Sequence, residues 1–216
     1  MKYFLKLGLV LLILSIVVSC NNSEKKKTET LEKEQSAQVY SYAIDTAGVS
    51  VLWTAYKFTD KLGVSGAFED FKLFLVNNAE SIETLLEKSE IVIYTESVNS
   101  NSEIRDPKLR ASFFKVFNTD TIRGVITESN QGKGLLDLEM NNSAIPLDYL
   151  YSFKTDTLFL SATVDLKKWN GQQAMQSLNK ECYDLHKGPD GISKLWPEVD
   201  IQIKLPIKTT LISDSY

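Results

Sequence analysis

The chain has 216 residues, of which 43% are hydrophobic, 24% charged and 10% aromatic. This composition supports a folded core and excludes a collagen-like or wholly disordered chain. Lys and Arg number 24 against 28 Asp and Glu, a net charge of −4, which suits poorly a protein that must neutralise nucleic-acid phosphates. Two cysteines, Cys20 and Cys182, and one histidine, His186, put the common zinc sites and a histidine-dependent triad out of reach.

Residues 1–19 read as an address. Lys2 and Lys6 precede an apolar run from Leu7 to Val18, which is shorter than the roughly 20 residues needed to cross a bilayer and fits the apolar region of a secretory signal. The run ends Val17-Val18-Ser19-Cys20, which resembles a bacterial lipobox, so cleavage before Cys20 and lipidation of its sulfur are expected. Cleavage removes two lysines and no acid, taking the balance from −4 to −6. Residues 20–38 follow as a charged linker in which four lysines and four glutamates cancel and Leu31 and Ala37 are the only apolar side chains after the cysteine. Such a segment has nothing to bury and reads as a tether. The expected location is the bacterial cell envelope, membrane-anchored through Cys20 and facing the periplasm or the cell surface. Cys182, left without a cysteine partner, reads as a buried inert thiol; Lys180 and Lys187 are a weak basis for a reactive one.

From residue 39 to 209 the dominant period is two. Leu158, Leu160, Ala162, Val164 and Leu166 alternate with polar or exposed positions, as do Val199, Ile201, Ile203 and Leu205, and Leu136, Leu138 and Met140. One dry and one wet face per strand is the pattern of antiparallel sheet. Further strands are expected at Ile91–Tyr94 and Ile122–Ile126. Gln131-Gly132-Lys133-Gly134, Asn141-Asn142-Ser143 and Lys154-Thr155-Asp156 supply turn chemistry between runs. About eight strands at this spacing predict an all-β sandwich or barrel. Within 64–76 the apolar parity switches between Gly66/Phe68 and Phe71/Leu73, which predicts a β-bulge at Glu69-Asp70. Short helices are expected at Ser81–Glu87, capped by Ser81, at Asp106–Arg110 with Asp106 as cap and Pro107 first, and at Gln172–Leu185, packing by Ala174, Met175 and Leu178. Residues 210–216 read as a C-terminal tail.

One stretch is more specific. Arg105-Asp106-Pro107-Lys108-Leu109, followed by Phe113-Phe114, resembles the Arg-Asp-x-x-Leu-x-x-x-x-Phe-Phe signature of the YceI-like family of envelope proteins. Gly63–Phe71 is similar to the family's Gly-x-Phe segment, and Ile44-Asp45 with Val51–Lys57 to its first strand. The resemblance spans about Tyr40 to Ile207. It implies an eight-stranded antiparallel lipocalin-like barrel with one to three short helices, binding an isoprenoid-type lipid in a long apolar cavity. A barrel of that size is just wide enough to be filled by its own side chains or to hold one slim ligand. Two positions where the family often carries histidine align with Gly48 and Lys57, so any imidazole role is absent and Lys57 is left as a candidate cation for a lipid head group. The glycine-centred hairpin that usually follows the paired phenylalanines is missing.

The candidate ligand-binding residues are Val51, Trp53, Ala55 and Lys57 on one strand parity, Phe68 and Phe71, and Arg105, Phe113 and Phe114 from the signature. Each has a structural reading beside it: Arg105 with Asp106 as a cap and ion pair fixing a loop, Phe113 and Phe114 as plug and core, Trp169 and Trp196 as rim packing, His186 as a surface or loop residue. No nucleophile–base pair, phosphate loop or metal cluster is visible, so no catalytic residue, metal or cofactor is assigned and a binding protein is expected rather than an enzyme. The alternative is a structural or protein-interaction lipoprotein with a side-chain-filled barrel. The anchor has a direct test: Cys20→Ala is expected to move the protein into the soluble fraction or to leave an uncleaved precursor. A variant that stays processed and membrane-bound in cell fractionation would show that Cys20 is not the anchor.

Overall fold

The structure, a computed structural model, describes residues 39–212; the leader, Cys20 and the linker lie outside them. The strands are β1 (Val39–Ile44), β2 (Ser50–Lys57), β3 (Leu62–Phe68), β4 (Phe71–Phe74), β5 (Glu90–Tyr94), β6 (Val98–Asn99), β7 (Thr121–Asn130), β8 (Lys133–Met140), β9 (Ser143–Lys154), β10 (Thr157–Asp165) and β11 (Leu195–Ile212). Three short helices, α1 (Ile82–Leu86), α2 (Arg105–Lys108) and α3 (Gln172–Glu181), sit between them.

All pairings are antiparallel, and the sheet runs β4-β5-β7-β8-β9-β10-β11-β2-β3-β6. Its two ends belong to the same strands as their neighbours. β4 continues β3 across Glu69-Asp70, and β6 continues β5 across the turn Thr95–Ser97. β3 pairs with β2 and β6, while β4 pairs with β5. Counting the two bent strands once each, and setting aside β1, which pairs only with the far end of β11, leaves a closed ring of eight. The phase switch at Glu69-Asp70 is therefore a bend, and it returns Phe71 to the side of Phe68, both against the same buried cluster. Glu69 N donates to Ser97 O at 3.2 Å and Tyr94 N to Asp70 O at 3.1 Å, so backbone pairing carries through the corner.

The predicted hairpins form with backbones that match their residues. Gln131 and Gly132 have φ of 48° and 85°, and Asn141 and Asn142 of 47° and 56°, the double positive φ of a type I′ turn, whose twist suits a hairpin. The alternation of β10 and β11 faces inward as expected, with Leu158, Leu160, Val164 and Leu205 buried. β11 continues past the expected boundary at 209 to Ile212, which pairs with Val39.

The barrel is plugged at one end. Ser81 accepts from Thr84 N at 3.1 Å to start α1, whose Leu85 and Leu86 are buried with Leu158, Leu205 and Ile207. Tyr151 anchors the plug by donating to Glu83 Oε1 at 2.7 Å. The other end is covered by α3 and by α2 with the π-helical turn Leu109–Phe114 that continues it. Asp106 is not the cap expected there: it lies inside the first turn and accepts from Ser100 N and Oγ at 2.9 and 2.5 Å. The preceding loop needs those donors satisfied because Ser100 is buried, and that requirement outcompetes capping. Residue Gln172 starts α3 as expected, but the helix ends at Glu181 and a 3-10 turn, Tyr183–His186, replaces its last part. Residues 37–216 form one compact unit, and the closed ring and the three buried clusters belong to it.

Gly66 is a tight position in the ring. It stands opposite Trp53, whose indole lies across it and donates from Nε1 to Ala67 O at 3.2 Å. A Cβ there would clash with the indole and lie 2.5 Å from Asn99 O, a backbone atom. Gly66→Val is therefore expected to lower stability by about 1–3 kcal/mol, the usual cost of overpacking, read as a fall in urea midpoint at unchanged slope. An unchanged midpoint would mean that the indole does not occupy the space over Gly66.

Candidate functional site

A strand's period of two sends alternate side chains to one face, and on β2 that face is the barrel interior. Val51 and Trp53 are buried and Ala55 follows on the same parity. Together with inward residues of the other strands they surround a cavity of about 190 Å³. An engineered cavity of roughly 150 Å³ takes up benzene, so this is room for a slim apolar group. Its lining is aliphatic and aromatic, including Phe68, Ile93, Leu138, Met140, Val164 and Ile201; Ser161 is the one aliphatic hydroxyl among the lining residues. At the helical end the cavity is ringed by Leu109, Phe113, Met175, Leu178, Leu195 and Trp196. All six are only partly buried, in contrast to the leucine plug opposite, and this end is the cavity mouth.

Of the nine expected ligand residues, Val51, Trp53, Ala55, Phe68, Phe113 and Phe114 line this space. Phe113 and Phe114 pack edge to face at 5.1 Å, and Phe114 meets Phe68 at 5.9 Å, so the signature phenylalanines wall the cavity and brace each other. The other three lie off it. Phe71 pairs with Ile93 and packs against the cluster of Val51, Trp53 and Phe68, but does not itself line the cavity. Lys57 stands beyond Ala55, its Nζ donating to Leu185 O at 2.9 Å. Arg105 lies one helical turn before Leu109, with Nη1 3.4 Å from Ser100 O, and makes no ion pair with Asp106 at this geometry.

Sequence reasoning missed the liners from α3 and from the start of β11. Met175 and Leu178 were legible as a helix face but not as cavity lining. Trp196 stands at the rim, as expected, and also borders the cavity; it donates from Nε1 to Phe58 O at 2.7 Å, with Lys194 Nζ 3.6 Å from its ring centroid. Trp169 is the correction. It is fully buried at 0% exposure and donates from Nε1 to Leu138 O at 3.0 Å, a packing residue outside the cavity.

His186 is not a surface residue. It is half-buried, with Nδ1 3.0 Å from Asn179 Oδ1. Burial first, and then the charges of Lys57, Arg105 and Lys108, hold its pKa down to about 4. Beside it Cys182 is buried, and burial raises its thiol pKa, the opposite of what a reactive thiol needs. Among the described residues no group of three or more His, Cys, Asp or Glu could hold a metal ion.

Comparison with known proteins agrees with this architecture. Residues 42–207 match the YceI-like domain. The chain belongs to the YceI-like family. Among solved structures, a polyisoprenoid binding domain from Saccharophagus degradans, implicated in plant cell wall breakdown, superposes with a TM-score of 0.54 at 11% identity. The match covers 81% of this chain and 100% of that one. BcnA of Burkholderia cenocepacia superposes with a TM-score of 0.52 at 11% identity, over 77% of this chain and 99% of that one. At such identities the likeness is one of fold. No curated protein gives a significant match.

His186 is the chain's single histidine, so its imidazole proton resonance is unambiguous. Its midpoint is expected near 4 rather than the ordinary 6.5. A lowered folded pKa means that the unfolded chain takes up the proton first, so stability present above about pH 6.5 is lost as pH falls toward 4. His186→Gln should therefore lose less stability than the wild type between pH 6.5 and 5, measured by denaturant titration. Parallel curves would show that the imidazole is solvated.

Proposed function

We propose that this protein is an envelope lipoprotein that takes a long apolar, isoprenoid-type chain into its barrel, for transport or storage. The observation that carries the reading is the cavity of about 190 Å³, walled by apolar side chains and lying between a leucine plug and a half-open helical mouth. An apolar void this size stays dry and gains by taking up hydrocarbon. Family membership supports the reading, as does the name of the Saccharophagus degradans domain, which binds polyisoprenoid. The volume lies below the ~300–1,000 Å³ of drug-sized sites. It suits the narrow cross-section of a prenyl chain, and a longer chain lodges by moving flexible liners such as Met140 and Met175, whose side chains re-pack at low cost. Binding rather than catalysis follows from a lining that offers no paired acid and base. Cys20, by the lipobox reading, ties the protein to the membrane from which such a lipid comes.

A second reading has one observation in its favour. The same modest volume is what a barrel filled by its own side chains would leave, and such a protein would act through its outer loops on another envelope protein. Ala162 separates the two, because it lines the cavity on β10 and a ring added there fills it. For a ligand-binding barrel, Ala162→Phe is expected to keep or raise the melting temperature of the empty protein and to abolish binding of a fluorescent prenyl lipid. For a filled barrel the same change overpacks and costs about 1–3 kcal/mol, and the wild type binds no prenyl lipid at micromolar concentration.

A further inference from the structure

We propose that the cavity mouth is an anion site, where Lys57 and Arg105, with Lys108 beside them, hold a phosphate-type head group whose hydrocarbon chain lies in the barrel. The inference rests on the lipid-binding reading and names the class of lipid.

Three elements build the mouth, and each carries a polar residue one step outward from a liner. Lys57 follows Ala55 by two residues on the inward parity of β2. Arg105 precedes Leu109 by four on the continuous helical stretch of α2 and the π turn, and four residues apart is one face of a helix. On α3, Leu178 lines the cavity and Cys182, four further on, is buried; His186 N then donates to Cys182 O at 3.0 Å. Contacts tie the three together. Lys57 Nζ reaches Leu185 O at 2.9 Å, and Lys108 Nζ reaches Glu181 Oε1 at 3.3 Å.

The charges there do not balance. Lys108 is shared with Glu181, but neither Lys57 nor Arg105 has a carboxylate within ion-pair distance among the described residues. Asp106, the nearest acid in sequence to Arg105, is turned onto Ser100. Glu103 and Asp184 are exposed, while Lys57, Arg105 and Lys108 are all partly buried. His186, facing the same three cations, stays neutral at physiological pH and adds a hydrogen-bonding group without a further charge. Partly buried like charges brought together without a counter-ion repel one another, and an arriving anion would relieve that repulsion. A guanidinium presents a fork that fits phosphate oxygens and an ammonium supplies a point charge, both by charge-assisted bonds. A neutral head, such as a quinone or an alcohol, would leave the cations unpaired.

The test uses the full chain with farnesyl phosphate, farnesol and inorganic phosphate as probes. Farnesyl phosphate is expected to bind at least about tenfold more tightly than farnesol. It should also raise the midpoint of the His186 imidazole by about one pH unit, as an added anion must. In Lys57→Met/Arg105→Gln the ratio of the two affinities should fall to within about twofold, while Lys57→Arg keeps most of it. If the double variant does not fold, Lys57→Met alone should lower the ratio. Inorganic phosphate should move the imidazole only at far higher concentration. If it acts as strongly as farnesyl phosphate, the head-group assignment is overturned in favour of a free anion. Equal affinity for farnesol and farnesyl phosphate, with a stationary imidazole, would overturn the site and leave the lipid-binding reading standing. If phosphate moves the imidazole and neither prenyl compound binds, the lipid reading falls and the assignment of the head group to a lipid falls with it.

Discussion

Closure of the ring depends on one strand serving two neighbours. Residues 62–74 pair with β2 before Glu69-Asp70 and with β5 after it. A straight strand could not do both, because its far half would leave the ring. The extra residues at the corner bend the chain, as bulges do at barrel corners. The partner strand bends with it at Thr95–Ser97, where Thr95 Oγ1 donates to Thr119 O at 2.8 Å and Ser97 Oγ to Tyr94 O at 2.7 Å. These hydroxyls satisfy carbonyls that the interrupted ladder leaves free, and an unpaired buried carbonyl would cost a large part of what the corner gains. Once the ring is closed, inward parity has only one destination, the interior, and the cavity follows from how completely those side chains fill it.

The filling is uneven for reasons visible in particular residues. At the plugged end α1 delivers two leucines into the barrel, and Tyr149 and Tyr151 stack nearby with ring centroids 6.0 Å apart. At the middle and mouth, small residues stand at inward positions: Ala55 on β2, Gly124 on β7 and Ala162 on β10. Trp53 is the largest inward side chain of β2, and its indole occupies the space over Gly66 while donating to Ala67 O. A large side chain is thereby spent against the wall instead of across the lumen. The glycine and the tryptophan act as a pair, and the void beside them is the result.

Much of this was legible in the sequence wherever a short-range rule decides it. Period two gave the dry faces of β8, β10 and β11, positive-φ residues gave the hairpins at Gln131-Gly132 and Asn141-Asn142, and the parity switch marked the corner. What escaped needed contacts between distant segments. Asp106 reads locally as a helix cap, and only the buried loop at Ser100 makes it do otherwise. His186 looks like a loop residue until Asn179 and the three cations are placed around it. Trp169 and Trp196, 27 residues apart, read alike; one is sealed beneath β8 and the other borders the mouth. Phe71 shares the side of the liner Ile93, but parity names a side of the sheet and not a depth in the barrel, and Phe71 packs against the liners without reaching the cavity.

The energetics of taking a lipid from a membrane bear on which parts of the barrel matter. Each methylene moved from water into the cavity gains about 0.8 kcal/mol, so a prenyl chain would bind strongly if it came from water. Drawn instead from a bilayer, whose tails are as apolar as leucine side chains, the same chain would gain almost nothing from the hydrocarbon term. What remains is the fit of the chain to a narrow lumen and the treatment of the head group. A lumen lined by movable residues such as Met175 and Leu178 discriminates weakly by shape. On the anion-site proposal the mouth would then bear most of the specificity, through Lys57 on β2 and Arg105 on α2, both partly buried. On that reading the barrel would solvate a tail of any sort, and the charges at its rim would decide which head group is worth holding.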